Sequence, residues 1–156
     1  MQIRPVIAED LANLYPRAEE AKIIEAVGID HFYRLLEMGQ VLTICDEDKI
    51  VAIMGIYKLW SGVYESWVIP SQYITDYSFK YLRIVKQYIN SIKNTYDMHR
   101  LQTFSVNNLL HDRWMGFLGF KKEGILTAYT PDGTDYAMWS ITNGKLNEGI
   151  DRLPAV

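Results

Sequence analysis

Two titratable residues carry the chemistry that this chain can do. Glu65 stands in an extended run, residues 63–69, close to Trp60, Tyr64 and Trp67. A carboxylate buried among rings has its charged form penalised, which lifts its pKa toward the strength of a working general base. Alternation along the strand equally allows an outward Glu65. His111 lies in the stretch SVNNLLHDRWMGFLGF, residues 105–120, one helical turn before Met115, so the two share a face. An imidazole there either exchanges protons near neutral pH or fills an ordinary helix-surface or core-edge position. Cys45, the only cysteine, closes the apolar run VLTIC and reads as a small buried hydrophobe, which leaves no intrachain disulfide. The histidines and this cysteine show no metal-ligand spacing. Proton transfer is the chemistry on offer.

These residues need a scaffold, and the sequence spells one. Pro5 biases Arg4 to an extended start. Helical signals then run from Glu9 to Leu14, from Ala18 to a stop at Gly28, and from a cap at Asp30 toward Gly39. From Val41 the period becomes that of strands: VLTIC, a turn at residues 46–48, KIVAIMGIYKL, a turn at Ser61-Gly62, and residues 63–69 before Pro70. A long helix capped by Thr75 or Asp76 follows, with Leu82, Val85, Ile89 and Ile92 facing a core and Lys80, Arg83, Lys86 and Lys93 on a basic face. Residues 100–106 form a strand, 107–118 a short helix, and 123–129 and 136–141 a hairpin about the turn Thr130-Pro131-Asp132-Gly133. The order predicts a single α/β domain over residues 1–142 and a loose tail over 143–156. Helices between strands predict parallel crossovers, hence a mixed, mostly antiparallel sheet of six to seven strands flanked by helices.

The 156 residues are enough for one domain, and with 49% apolar residues, eleven Tyr and four Trp they can fill a core. A net charge of -3 gives no basic excess and argues against wholesale binding of nucleic acid or an anionic membrane. The first residues lack a signal-peptide core and no apolar run reaches membrane-spanning length, so a soluble, cytoplasmic chain is expected.

Val68-Ile69-Pro70 ends the meander, Asn108 follows the next strand, and Leu118-Gly119-Phe120 closes the short helix. In this order of elements they resemble the GNAT superfamily of acyl-CoA-dependent N-acyltransferases over nearly the full chain. The resemblance implies acetyl-CoA as cofactor, its pantetheine arm held between splayed strands by backbone groups at Val68 and Ile69, with Gln72, Asn108 and Trp114 also in the cofactor site. It makes Glu65 the base that deprotonates an amine, on a small molecule or a protein, and leaves His111 to protonate the thiolate. Met115 stands where many members carry a Tyr acid. The loop from Gln72 to Ser78 lacks the glycines with which the family cradles the diphosphate.

A narrower resemblance rests on the run RAEEAKIIEAVG, residues 17–28, with Asn108, His111, Trp114 and Leu118-Gly119-Phe120. These are similar to GNAT-like proteins of short-tailed bacteriophages, among them a small internal virion protein, in which His and Trp recur in place of the Tyr. That implies a chain in the host cytoplasm, possible in the virion as well. Two functions follow: an N-acyltransferase, or a catalytically degenerate phage protein that binds a phage or host protein.

Overall fold

Branched and aromatic residues at alternate positions suit a pleated surface with one or both faces covered, and they build a seven-stranded sheet here. In a computed structural model, residues 1–143 are described. The chain runs β1 (Gln2–Pro5), α1 (Asp10–Asn13), α2 (Ala18–Val27), α3 (Ile29–Leu36), β2 (Gln40–Asp46), β3 (Lys49–Trp60) and β4 (Val63–Pro70). Then come α4 (Ile74–Thr95), β5 (Arg100–Val106), α5 (Leu109–Leu118), β6 (Lys121–Leu126) and β7 (Tyr136–Thr142). Strand order is β1-β2-β3-β4-β5-β7-β6, antiparallel except for β4 and β5, which α4 joins in parallel. The mixed sheet expected from the element order is what forms.

Helices cover both faces. On one, α4 lays Tyr81, Val85, Ile89 and Ile92 against Ile44, Val51 and Leu101, and α5 adds Met115. On the other, Leu11 and Leu14 pack with Ile53 and Ile69, and Phe32 and Leu36 of α3 close over them. No residue of α2 is buried, because its inner stripe lines a cavity.

Several boundaries differ from the sequence reading. Gly28, not Asp30, sits at the N-cap of α3, and Tyr73 takes that place in α4, ahead of Thr75 and Asp76. Strand β6 begins at Lys121 and stops at Leu126, since Ala128 turns to φ 52° and Tyr129 hydrogen bonds within the loop. Asn143 is tied to His99 and to Met98, which orders the first residue of the expected tail. The rest of the tail call, 144–156, lies outside the described residues. Among the described residues no helix is long and apolar enough to cross a membrane.

Candidate active site

Strands β4 and β5 separate just after Glu65. They pair only through Val63, Tyr64 and Glu65 against Arg100, Leu101 and Gln102. One residue further the Thr103 hydroxyl donates to the Ser66 carbonyl at 2.9 Å. Past that point β4 stays laddered to β3 as far as Pro70, and β5 to β7 as far as Val106. Each strand follows the twist of its own outer neighbour, so a gap opens between them. A cavity of about 520 Å³ fills it, walled by Trp67, Val68 and Ile69 on one strand and Phe104, Ser105 and Val106 on the other.

Glu65 forms the closed end of this gap. Tyr57 donates its hydroxyl to Oε1 at 2.6 Å, and Gln102 donates its amide to Oε2 at 2.9 Å. The Gln102 amide is itself oriented, because Arg100 Nε donates to its Oε1 at 3.0 Å. Arg100 is fixed in turn by two bonds of 2.7 Å to Glu123, which also accepts from Ser140. A polar ladder thus crosses five strands on one face and ends on the carboxylate. Burial, reinforced by the bond to Glu65, pushes the Tyr57 pKa up, so its hydroxyl stays a donor. The rings near Glu65 are not all those named from the sequence. Trp60 is exposed and Tyr64 packs on Tyr96 of the opposite side, while Trp67 lies on the Glu65 face, its ring against Gly55. Tyr57 and Gln102 carry no local sequence signal. They meet Glu65 through cross-strand register, Tyr57 opposite Glu65 on β3 and Gln102 on β5.

His111 is buried at the α5 side of the cavity. Asn108 caps α5: its Oδ1 accepts from the His111 backbone N–H at 2.9 Å and meets ring Nδ1 at the same distance. With Oδ1 an acceptor, the imidazole is assigned with its proton on Nδ1 and a lone pair on Nε2. Burial, with the nearby Arg17 charge, holds its pKa below the ordinary value against the pull of Glu19 and Glu20. The ring is therefore neutral at pH 7. Trp114 and Met115 also line the cavity, Trp114 packed between Tyr81 and His111. Asn108 and Gln72 do not line it. Asn108 is engaged as a cap, and Gln72 is exposed on the outside.

No family model and no curated protein sequence matches the chain. Solved structures do. The Bacillus subtilis acetyltransferase in complex with CoA superposes at a TM-score of 0.66 over 91% of this chain and 97% of that one, with 14% identity. A GNAT family acetyltransferase from Elizabethkingia anophelis with acetyl-CoA bound gives 0.64 over 91% and 97%, with 13% identity. The ribosomal-protein-S5-alanine acetyltransferase from Vibrio fischeri gives 0.58 over 92% and 93%, with 16% identity. The chain has the GNAT acetyltransferase fold.

Within that fold the gap between β4 and β5 suits the thin pantetheine arm of CoA. Backbone groups of Val68 and Ile69 have no ladder partner on the β5 side, and Val106 and Trp114 supply apolar walls. The start of α4 suits the diphosphate less well. Gln72 N donates to Tyr15 O at 2.8 Å, Tyr73 N to the Ser71 hydroxyl at 3.2 Å, and Ile74 N to Ser71 O at 3.1 Å. Backbone donors that a GNAT cradle would offer to phosphate are spent inside the protein. Lys80 and Arg83 are exposed one and two turns further along α4. Lys86 is not free in this way, since it donates to the Phe117 carbonyl at 2.9 Å.

Proposed function

We propose that the chain is an N-acyltransferase that moves an acetyl group from acetyl-CoA to an amine. The observation that carries this reading is the end of the β4/β5 ladder at Glu65, which sets an oriented carboxylate at the head of the gap between the two strands. Acetyl-CoA, when bound, supplies an activated thioester carbonyl. Val68 and Ile69 hold the arm by their backbone groups, and Trp114 packs along it. Glu65 takes the proton of the incoming amine, with Tyr57 and Gln102 keeping its oxygens in place. His111 is a proton carrier only once Nε2 has been loaded, so at neutral pH water protonates the departing thiolate. Thiol release from acetyl-CoA in the presence of amines tests the proposal. Turnover abolished by Glu65→Gln supports it, and no release above the hydrolytic background with any amine defeats it.

The occupied amides at Gln72, Tyr73 and Ile74 favour a second reading, in which the scaffold is kept and the chemistry lost. The chain is then a phage-encoded protein of the host cytoplasm or the virion interior that docks on a phage or host protein, as the narrower resemblance implies. Recovery of the polypeptide from purified virions, with no acetyl transfer, separates this reading from the first.

A further inference from the structure

Glu65 opens onto a chamber at the α2 and α3 side of the cavity, across from the α5 side on which the proposed arm would lie. Tyr57, Trp67 and Phe104 rise around it from three adjacent strands. Tyr129 stacks on Phe104 with ring centroids 5.9 Å apart and planes at 14°, and lies 5.2 Å from Tyr136. The hairpin tip is built to hold that ring. Ala128 N donates to Asp135 at 2.8 Å, and Tyr129 N to Thr134 O at 3.0 Å. The roof is mostly apolar, made by Ile23 and Val27 of α2 with Phe32 and Leu35 of α3, and Glu20 and His31 of the same helices stand at the cavity beside them.

The charge in this chamber is unbalanced. Both donors to Glu65 are neutral, and among the described residues no Lys or Arg forms an ion pair with it. Arg17, the cation on the cavity wall, is taken by Glu20, and Arg100 by Glu123. A carboxylate has about four lone-pair sites, so two hydrogen bonds leave it room to accept from an ammonium group. The faces of the surrounding rings attract the same charge. Beyond Glu65 the roof helices bring only Glu20, already paired with Arg17, and His31 to the cavity, so a second ammonium or a row of hydroxyls would meet mainly apolar surface and be desolvated at a cost.

We propose that the chamber takes a primary amine with a single positive charge and an apolar or aromatic body, its ammonium on Glu65 and its body under α2 and α3. This rests on the acyltransferase reading for its consequence, acetylation of that amine, though the binding itself does not.

Calorimetric titration of the full chain with 2-phenylethylamine, spermidine, glucosamine and phenylalanine tests the assignment, alongside a separate acetyl-transfer assay with each. Phenylethylamine is expected to bind at least about tenfold more tightly than the other three. Glu65→Gln weakens that binding by about tenfold or more, and Tyr129→Ala, a change at an exposed ring, weakens it severalfold while leaving the melting curve in place. Spermidine or glucosamine binding as tightly, an affinity indifferent to both substitutions, or no binding of phenylethylamine at millimolar concentration overturns the proposal. Phenylethylamine bound but never acetylated overturns the acyltransferase reading and leaves the chamber's assignment standing. Acetylation that prefers spermidine does the reverse.

Discussion

The Thr103 hydroxyl donates to the Ser66 carbonyl at 2.9 Å, and this bond closes the seam between β4 and β5 where the backbone ladder has already ended. The acyltransferase reading and the amine chamber both depend on where that seam stops. A gap opening one pair earlier would loosen Glu65 and Gln102 from each other. One pair later would narrow the slot between Trp67 and Phe104.

Thr103→Val keeps the branched shape and removes the pin. Thr103 is buried, and Ser66 O would lose its partner, so the variant should lose about 1 kcal/mol in urea unfolding, the usual size of one such bond. A greater loss in affinity for CoA than in stability would mark the seam as a ligand feature. Equal losses would mark it as structure alone.

Glu65→Gln should lower acetyl transfer by about 100-fold or more, the scale of a missing general base, with a melting temperature close to the parent's. Tyr57→Phe removes one of the two donors and should cost about tenfold, through orientation. Steady-state rates and thermal melts of both variants check this pair.

Acid unfolding should respond to Arg100. Its paired bonds, aided by Ser140, hold the Glu123 pKa down from 4.5 to about 2. A carboxylate with a depressed folded pKa adds stability that is present above the unfolded value and is lost as pH falls through the folded one. The window is therefore about pH 4.5 down to about 2. Glu123 is partly exposed and solvent screens the pair, so the effect is modest. Arg100→Gln should flatten the acid limb of stability against pH in that window, because it lowers the neutral plateau modestly while leaving stability below about pH 2 nearly unchanged.

Much of the scaffold was legible because periodicity is local. The stripe of Val85, Ile89 and Ile92 and the strand run from Val41 to Ile56 were recognisable from spacing, and the crossover through α4 foretold the parallel pair. The helix stop expected at Gly39 falls earlier, since α3 ends at Leu36 with Glu37 as its C-cap, and the reason for Gly39 is not local: at φ 69° before β2, a Cβ would stand 2.1 Å from the Ile56 carbonyl of β3. The site was legible only in part. Glu65 could be singled out, but its partners could not, since Tyr57 is eight residues away and Gln102 thirty-seven. Trp60 looked close along the chain, yet a register shift at the end of β3 leaves it exposed. Gln72 matched a motif whose amides here serve Tyr15 and Ser71 instead.

That occupancy bears on the donor. With the amides of Gln72 and Tyr73 already bonded, the nucleotide end of CoA has little to hold, and removing it should cost little. Dissociation constants of pantetheine and CoA are expected to agree within about tenfold. A CoA preference of a thousandfold would mean that the turn before α4 opens to admit the diphosphate.

On the proposed function, the gap beyond Glu65 binds the arm of an acyl thioester. Calorimetric titration of the chain with acetyl-CoA, beside a Val106→Trp variant that fills the gap, tests it most directly. Saturable binding in the sub-millimolar range is expected for the parent chain, with a loss of about 100-fold in the variant. No binding at millimolar acetyl-CoA, or binding that the tryptophan leaves untouched, would contradict it.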